Sequence, residues 1–268
     1  MLFPPQVSID LPDITGEGFY QAVGHSGDTE IQPALLVRRW QGWDAPLVMY
    51  HHGAAEGGWA FSFDRIFRRR ALDSLSLNVV AICATSSQTN REFYTQIRTL
   101  AGYTALIAGS AAVAEAMVAR HRSRSSAPVV LSGVSLGGVV SCLHAACFGT
   151  ADGYAPLYAG PNLAEVFVAS AYGPMCDESA RTRHSDAIRR TLDFGPAFSA
   201  GPVERVFPVL GRFDSYFNLQ TQSAYYRPEN LTVTDQSHSS GSTAFGFLRR
   251  HILETLEGAK HHVVTDRS

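Results

Sequence analysis

The hydrophobic positions of the chain fall into short apolar runs that alternate with longer segments of helical character. The runs are rich in β-branched residues and lack a polar face, as expected for strands that are buried on both sides of a sheet. The predicted strands are residues 31–40, 47–51, 78–84, 128–133, 165–171, 205–210 and 230–234. A lead-in with an edge strand is expected near residues 18–23.

Helical segments separate most of these strands. The predicted helices are residues 91–122 (one long helix or two), 136–148, 215–226 and 243–256. Gly149 suits the end of the second helix, because glycine readily adopts the left-handed conformation found at helix C-termini. Alternation with crossovers of this length predicts an α/β fold, with a mostly parallel central sheet and helices on both of its faces.

Residues 172–202 interrupt the alternation. This segment is polar, rich in arginine and punctuated by proline and glycine, and it lies between two predicted strands. A long insertion at the carboxyl end of a strand often forms a lid or a binding loop, although a solvated surface excursion has the same composition. We expect a single domain over residues 1–268 with a small, polar, lid-like insertion at 172–202.

Composition and charge argue against a nucleic-acid-binding protein, a disordered protein and a membrane-spanning protein. The 22 Lys and Arg residues nearly balance 24 Asp and Glu residues, which argues against a nucleic-acid-binding protein. The hydrophobic content of 45% argues against intrinsic disorder. The longest apolar stretch, residues 105–119, is interrupted by Ser110 and Glu115, so we expect no transmembrane segment. No secretory signal is visible at the N-terminus.

The cysteines and the paired histidines carry little sign of metal or disulfide chemistry. Cys83, Cys142, Cys147 and Cys176 show no CxxC spacing, and we expect reduced thiols of a cytoplasmic protein. His51 and His52 are adjacent in sequence. Neighbouring side chains on an extended chain point apart, so no metal site is expected there.

The strongest chemical signal is the GxSxG sequence of residues 133–137, centred on Ser135. The pattern alone is weak, but here an apolar strand runs directly into it and a helix of small residues follows. This strand–turn–helix context is that of a nucleophile elbow, in which the serine occupies a strained turn and bulkier residues at the two glycines would collide. We therefore expect Ser135 to be a nucleophile, the other reading being a glycine-rich turn.

A serine nucleophile needs a base, and the base needs an orienting acid. His238 directly follows the predicted strand 230–234, and catalytic groups of such sheets gather at strand ends. Asp214 follows the preceding strand and is the expected acid, although it could instead cap the helix after it. Asp177, after the predicted strand 165–171, remains the alternative acid.

The segment that follows the strand 47–51 carries a His-Gly sequence, His52-Gly53. Acyl transfer needs two N–H donors directed at the oxyanion, one from the residue after the nucleophile and one from a loop of this kind. Leu136 and Ala54 are the expected donors.

These features, in this order, resemble those of the α/β-hydrolase fold superfamily of serine hydrolases over about residues 31–256. Within it the chain is similar to the abhydrolase domain-containing protein 18-like group. The segments that carry this narrower similarity are His52-Gly-Ala, residues 67–70, 133–138 and 154–167. The chain departs from that group because it lacks a long insertion before the acid.

The resemblance implies an acyl-enzyme mechanism on Ser135 without a metal or organic cofactor. We expect a serine hydrolase that cleaves a small-molecule carboxylic ester or thioester. A peptidase, a lipid deacylase or an acyltransferase would use the same residues, and a catalytically silent scaffold would share the fold.

Overall fold

A computed structural model of the protein describes residues 7–26, 29–54, 56, 61–83, 89–97, 99–171 and 178–265. The strands are β1 (Val7–Asp10), β2 (Gly18–Gln21), β3 (Val23–Ser26), β4 (Thr29–Ile31), β5 (Ala34–Arg39), β6 (Leu47–His51), β7 (Asn78–Cys83), β8 (Val129–Val134), β9 (Gly153–Leu157), β10 (Val209–Gly211) and β11 (Thr232–Thr234).

Helices connect most of the later strands. They are α1 (Phe61–Ile66), α2 (Arg69–Leu72), α3 (Asn90–Gln96), α4 (Leu100–Arg122), α5 (Leu136–Cys147), α6 (Leu163–Val168), α7 (Glu178–Arg183), α8 (Ser185–Leu192), α9 (Gly195–Ser199), α10 (Leu219–Ser223), α11 (His238–Ser242) and α12 (Phe245–Thr265).

The central sheet has eight strands in the order β11-β10-β9-β8-β6-β7-β5-β2. The run from β11 to β7 is parallel, whereas β5 and β2 add antiparallel strands at one edge. The edge strand expected near residues 18–23 is therefore confirmed as β2. A separate three-stranded antiparallel sheet contains β1, β3 and β4.

Helices cover both faces of the central sheet, and β6 shows why the inner strands are apolar on both faces. Leu47 and Met49 pack into the core formed with α4 and α5. Val48 and Tyr50 point to the opposite face and pack into the core formed with α1 and α12. Successive side chains of a strand alternate between faces, so a strand covered on both sides needs hydrophobic residues at every position.

The predicted strand 165–171 is wrong, because residues 163–168 form helix α6. The fourth parallel strand along the chain is instead β9, whose sequence GYAPL was not predicted to be a strand. A short apolar run cannot be assigned to helix or strand by periodicity alone, and the Asn162 side chain starts the helix by accepting the N–H of Glu165. All five residues of β9 are buried.

Other boundaries differ in detail. The predicted strand 31–40 is divided between β4 and β5, and the helical segment 91–122 consists of two helices, α3 and α4. The predicted helix 215–226 is reduced to the five residues of α10, and the last helix begins at Phe245 and is longer than expected.

Within the described part of the chain, α4 is the one helix whose length and apolar composition would suit a membrane span. Of its apolar window, 61% is buried inside the fold, and a core helix of a globular protein has the same length and composition. Cys83, Cys142 and Cys147 are free thiols. Cys176 lies outside the described residues.

Candidate active site

Ser135 lies at a sharp turn between β8 and α5. Its backbone has φ 53° and ψ −113°, a left-handed conformation that costs about 1–3 kcal/mol for a residue with a side chain. The Ser135 N–H donates to the carbonyl of Leu157 at 2.8 Å, which ties the turn to the end of β9. The turn has the geometry expected of a nucleophile elbow.

The two glycines of the GxSxG sequence are required by close backbone contacts. A Cβ atom on Gly133 would lie 2.5 Å from the carbonyl carbon of Gly137. One on Gly137 would lie 2.0 Å from the carbonyl oxygen of His51. Any larger residue would force α5 away from β6 and β8, as the sequence pattern predicts.

Asp214 is buried in the tight loop after β10, with its side chain fully inaccessible. Its Oδ1 accepts the backbone N–H groups of Tyr216 and Phe217 at 2.8 and 2.9 Å. It does not cap a helix, because α10 begins later and is capped by Asn218. Two backbone donors leave Oδ2 free for another partner.

His238 connects Asp214 with Ser135. Its Nδ1 lies 2.8 Å from Asp214 Oδ2, and its Nε2 lies 2.9 Å from Ser135 Oγ. A carboxylate can only accept, so Nδ1–H donates to Asp214 and Nε2 accepts the hydroxyl proton of Ser135. His238 is the first residue of the short helix α11, whereas the sequence predicted a loop.

Aromatic rings hold the imidazole on both sides of this hydrogen-bonded chain. Phe217 stacks on His238 at 5.7 Å with an interplanar angle of 22°, and Tyr216 approaches edge-on at 4.9 Å. Since the backbone of both aromatic residues also binds Asp214, one loop orients the acid and the base together.

The segment after β6 is held by a carboxylate that sequence reasoning did not single out. Glu56 accepts the Gly53 N–H at 2.5 Å through Oε1 and the Ser62 N–H at 2.9 Å through Oε2. Burial raises the pKa of Glu56, and the hydrogen bonds from Ser62 and Gly53 oppose that rise. The carboxylate therefore joins the residue before Ala54 to the first turn of α1.

His51 and His52 are buried and stacked on one another, with ring centroids 4.8 Å apart. Their Nδ1 atoms bond to the carbonyls of His52 and Gly53 at 2.9 and 2.7 Å. Burial lowers the pKa of His51 to about 3 and that of His52 to about 4, so both rings are neutral. Among the described residues, no three His, Cys, Asp or Glu side chains form a cluster suited to a metal ion.

A cavity of about 340 Å³ opens onto Ser135. The predicted oxyanion donors Ala54 and Leu136 both line it, together with His238. The rest of its described wall is mainly aromatic and apolar and consists of Phe93, Tyr94, Tyr103, Val166, Ala171, Tyr216, Phe217 and Ser239. The aromatic residues of α3 and α4 reach this wall through the tertiary structure, and no sequence motif marked them.

Two sequence predictions concern residues 172–202. Asp177, the alternative acid, lies outside the described residues. Residues 178–202 form α7, α8 and α9, and none of them is among the described residues that line the cavity. A lid function for the insertion stays a prediction.

Comparison with solved structures shows the same arrangement of sheet and helices in several hydrolases. Over 92% of its length the chain is similar to the acylaminoacyl peptidase of Pyrococcus horikoshii, with a TM-score of 0.59 and 10% identity. Over 94% it is similar to acetyl xylan esterase 1 of Thermoanaerobacterium sp. JW/SL YS485, with a TM-score of 0.58 and 15% identity. The chain has the α/β-hydrolase fold.

The α/β-hydrolase neighbours differ in size. The chain spans 42% of the acylaminoacyl peptidase but 88% of the acetyl xylan esterase. It also matches an S-formylglutathione hydrolase of Agrobacterium tumefaciens over 92% of its own length and 98% of that chain, with a TM-score of 0.55 and 15% identity. No family model and no curated protein matches the chain, so its similarity to the abhydrolase domain-containing protein 18-like group stays a prediction.

Proposed function

We propose that the protein is a serine hydrolase that cleaves a small carboxylic ester or thioester through an acyl-enzyme on Ser135. The observation that carries the proposal is the continuous hydrogen-bonded chain from Ser135 Oγ through His238 to Asp214, with distances of 2.9 and 2.8 Å. A serine hydroxyl becomes a useful nucleophile when a neutral imidazole accepts its proton and a carboxylate fixes the tautomer of that imidazole.

In the first half of the reaction, Ser135 Oγ attacks the substrate carbonyl carbon while its proton moves to His238 Nε2. Asp214 stabilises the imidazolium that forms. The negative charge passes to the carbonyl oxygen, where the N–H groups of Leu136 and Ala54 are the proposed donors. When the tetrahedral intermediate collapses, the bond to the leaving group breaks and His238 returns the proton to the departing alcohol or thiol.

In the second half, water attacks the acyl group on Ser135, and His238 takes one proton from that water. The bond from the acyl carbon to Ser135 Oγ then breaks, the proton returns to Oγ, and the carboxylic acid leaves. Every proton is passed through the same imidazole nitrogen, so the proposed reaction requires no group beyond the residues of this chain and water.

A peptidase is the second candidate, because one structural neighbour is an acylaminoacyl peptidase. The proposed site would attack an amide carbonyl in the same way. The two functions differ in the leaving group, so hydrolysis of a p-nitrophenyl ester and of an acylamino acid p-nitroanilide by the same preparation separates them.

The first test is the intact mass after treatment with a fluorophosphonate. We expect the wild type to gain one adduct, equal to the reagent less HF, and Ser135→Ala to gain none. Ser239→Ala is the matched control, since Ser239 lines the same cavity but takes no part in the hydrogen-bonded chain. A folded wild type without an adduct, or a Ser135→Ala variant that is still labelled, would overturn the proposal.

A further inference from the structure

Tyr158, the residue that follows β9, has an unusual backbone conformation. Among the described residues other than glycine, Ser135 and Tyr158 are the two with positive φ, and Tyr158 has φ 50°. A bulky aromatic residue rarely adopts this conformation, and it persists where the surrounding structure fixes it. Tyr158 is also fully buried. Its contacts should therefore explain why the strain is kept.

The backbone and the hydroxyl of Tyr158 bind different elements. Its N–H donates to the carbonyl of Val209 in β10 at 2.7 Å. Its hydroxyl lies 3.0 Å from Thr234 Oγ1 at the end of β11 and 3.4 Å from Gln236 Oε1. The residue thus connects the end of β9 to the strand that leads to Asp214 and to the segment that leads to His238.

Burial raises the pKa of Tyr158, so its hydroxyl keeps its proton at neutral pH. A protonated phenol can donate to the Gln236 carbonyl oxygen and at the same time accept from the Thr234 hydroxyl. One side chain therefore satisfies two polar groups of the same segment.

The segment before His238 is held from its other side as well. The carbonyl of Gln236 accepts the N–H of Phe213 at 3.1 Å, and the carbonyl of Thr234 accepts the N–H of Arg212 at 2.8 Å. Gln236 is thus bound through its backbone to the loop that carries Asp214 and through its side chain to Tyr158.

The ring of Tyr158 also packs against the helix that begins with His238. A Cβ atom on Gly241 would lie 2.1 Å from the Tyr158 Cζ atom. Only a glycine allows α11 to approach the ring this closely. The phenol therefore contacts both the approach to His238 and the helix that His238 starts.

We propose that Tyr158 is a positioning residue that holds His238 in line between Asp214 and Ser135. The role rests on the proposed function, because it matters for catalysis only if His238 is the base. Nδ1 and Nε2 must both stay within hydrogen-bond distance of their partners, so a small rotation of α11 would break the chain at one end. Tyr158 opposes that rotation from the end of β9, a strand that leads to none of the three residues.

The test compares Tyr158→Phe with Tyr154→Phe. Tyr154 lies within β9, the strand that Tyr158 follows, and is also buried. It uses its hydroxyl at the opposite end of that strand, where it accepts the Ala151 N–H at 3.1 Å and lies 3.1 Å from His144 Nδ1. Both variants lose one buried phenolic hydroxyl, so a general loss of stability affects both. Only Tyr158→Phe removes a contact to the segment before His238.

We expect Tyr158→Phe to lower kcat roughly tenfold with a smaller effect on KM, because proton transfer depends directly on the position of the imidazole, whereas His238 is only one of the residues that line the cavity. The rate of fluorophosphonate labelling should fall in parallel. Tyr154→Phe should keep the wild-type kcat and labelling rate while its Tm falls by a similar amount.

Thr234 provides an independent check of the same contact. Thr234→Val should lower kcat, whereas Thr234→Ser, which keeps the hydroxyl, should restore it. The double variant of Tyr158→Phe and Thr234→Val should lose less activity than the two single losses combined, since both variants remove the hydrogen bond between the two hydroxyl groups. Tyr158→Phe also removes the contact to Gln236, and Thr234→Val also removes the contact to the Leu210 carbonyl.

Two results would overturn the role, and they differ from failure of the proposed function. If the wild type is labelled and active but Tyr158→Phe keeps its kcat, or loses no more than Tyr154→Phe, then Tyr158 has only a structural role. If the folded wild type is neither labelled nor active, the serine hydrolase proposal fails and the role of Tyr158 fails with it.

Discussion

His238 Nε2 lies 2.9 Å from Ser135 Oγ, although 103 residues separate the two in sequence. The separation is bridged by the sheet, because β8 and β11 end at the same edge and each delivers one of these residues. Asp214 completes the contact from the end of β10.

The first prediction concerns the acid. In Asp214→Asn, Oδ1 can still accept the two backbone N–H groups, but the amide NH₂ then faces His238 Nδ1. The imidazole must turn an acceptor towards the amide and so loses the tautomer that takes the serine proton. We expect kcat for a p-nitrophenyl ester to fall roughly 10³–10⁴-fold, with the fold retained by circular dichroism.

Asp235→Asn is the matched control. Asp235 also precedes His238 in sequence, but its carboxylate is exposed and pairs with Arg212 at 2.7 Å. An exposed ion pair of this kind contributes little to stability, so kcat should stay within about twofold of the wild type. Equal losses in both variants would argue that Asp214 has no special role.

The second prediction concerns the carboxylate behind the proposed oxyanion donor. Glu56→Gln keeps one acceptor for Gly53 or Ser62 but places an NH₂ group against the other N–H. The segment that contains Ala54 should then be held less firmly. Complete removal of one oxyanion donor lowers kcat roughly 10²–10³-fold, which sets the upper limit of the effect. We expect kcat to fall by roughly tenfold or more, with a smaller effect on KM.

A control variant at an exposed glutamate tests whether the loss of one negative charge is enough to lower kcat. Glu257→Gln on α12 removes a carboxylate that pairs with Lys260 and should leave kcat unchanged. If Glu56→Gln behaves like Glu257→Gln in steady-state kinetics, the carboxylate does not position the donor.

The third prediction concerns the charge of the substrate. The described wall of the cavity at Ser135 contains five aromatic residues and no Asp, Glu, Lys or Arg. A substrate carboxylate would lose its hydration there without gaining a partner of opposite charge. We expect kcat/KM for p-nitrophenyl butyrate to exceed that for the mono-p-nitrophenyl ester of succinic acid by at least about tenfold.

A positively charged side chain introduced at the edge of the cavity should reduce the preference for the uncharged butyrate ester. Ala171 is exposed and lines the cavity, so Ala171→Arg should raise the relative rate of the succinate ester. Ala200→Arg places the same charge at an exposed position that is not part of the cavity wall and should leave the ratio unchanged. A wild type that prefers the anionic ester would contradict the prediction.

The fourth prediction concerns stability in acid. The pKa of His51 is lowered to about 3 and that of His52 to about 4, from an ordinary value of 6.5, because both rings are buried. At a pH between about 4 and 6.5, both rings bind protons in the unfolded chain but not in the folded chain. The free energy of unfolding therefore falls as the pH drops below 6.5. The pair should lower the free energy of unfolding by about 3–4 kcal/mol from pH 7 to pH 5.

Urea denaturation at both pH values measures the total loss of stability, to which His121, His144 and His251 also contribute because burial lowers their pKa values. His52→Gln, which cannot take up a proton, should remove about half of the contribution of the His51 and His52 pair, while His184→Gln at an exposed position should leave the loss unchanged. Glu56 acts in the opposite sense, because its raised pKa favours proton binding by the folded chain. If His52→Gln loses as much stability from pH 7 to pH 5 as the wild type does, His52 is accessible to protons in the folded state.

Local sequence determined the elements whose signals are short-range. Strands β6, β7 and β8 were predicted nearly to the residue, because strands buried on both faces must be apolar throughout. The sharp turn at Ser135 is predictable because it needs glycines two positions away on each side, a requirement that is visible in sequence. Asp214 and His238 followed from the order of strands, and the structure brings both to Ser135.

Tertiary structure alone decided the elements whose reasons lie elsewhere in the chain. The segment 153–157 contains glycine and proline and forms a strand because β8 and β10 flank it, while residues 163–168 have strand-like composition and form a helix. Tyr158 carries no motif, because its partners Thr234 and Gln236 lie 76 and 78 residues away. Periodicity and motifs report on neighbouring residues, whereas these contacts exist only once the sheet has assembled.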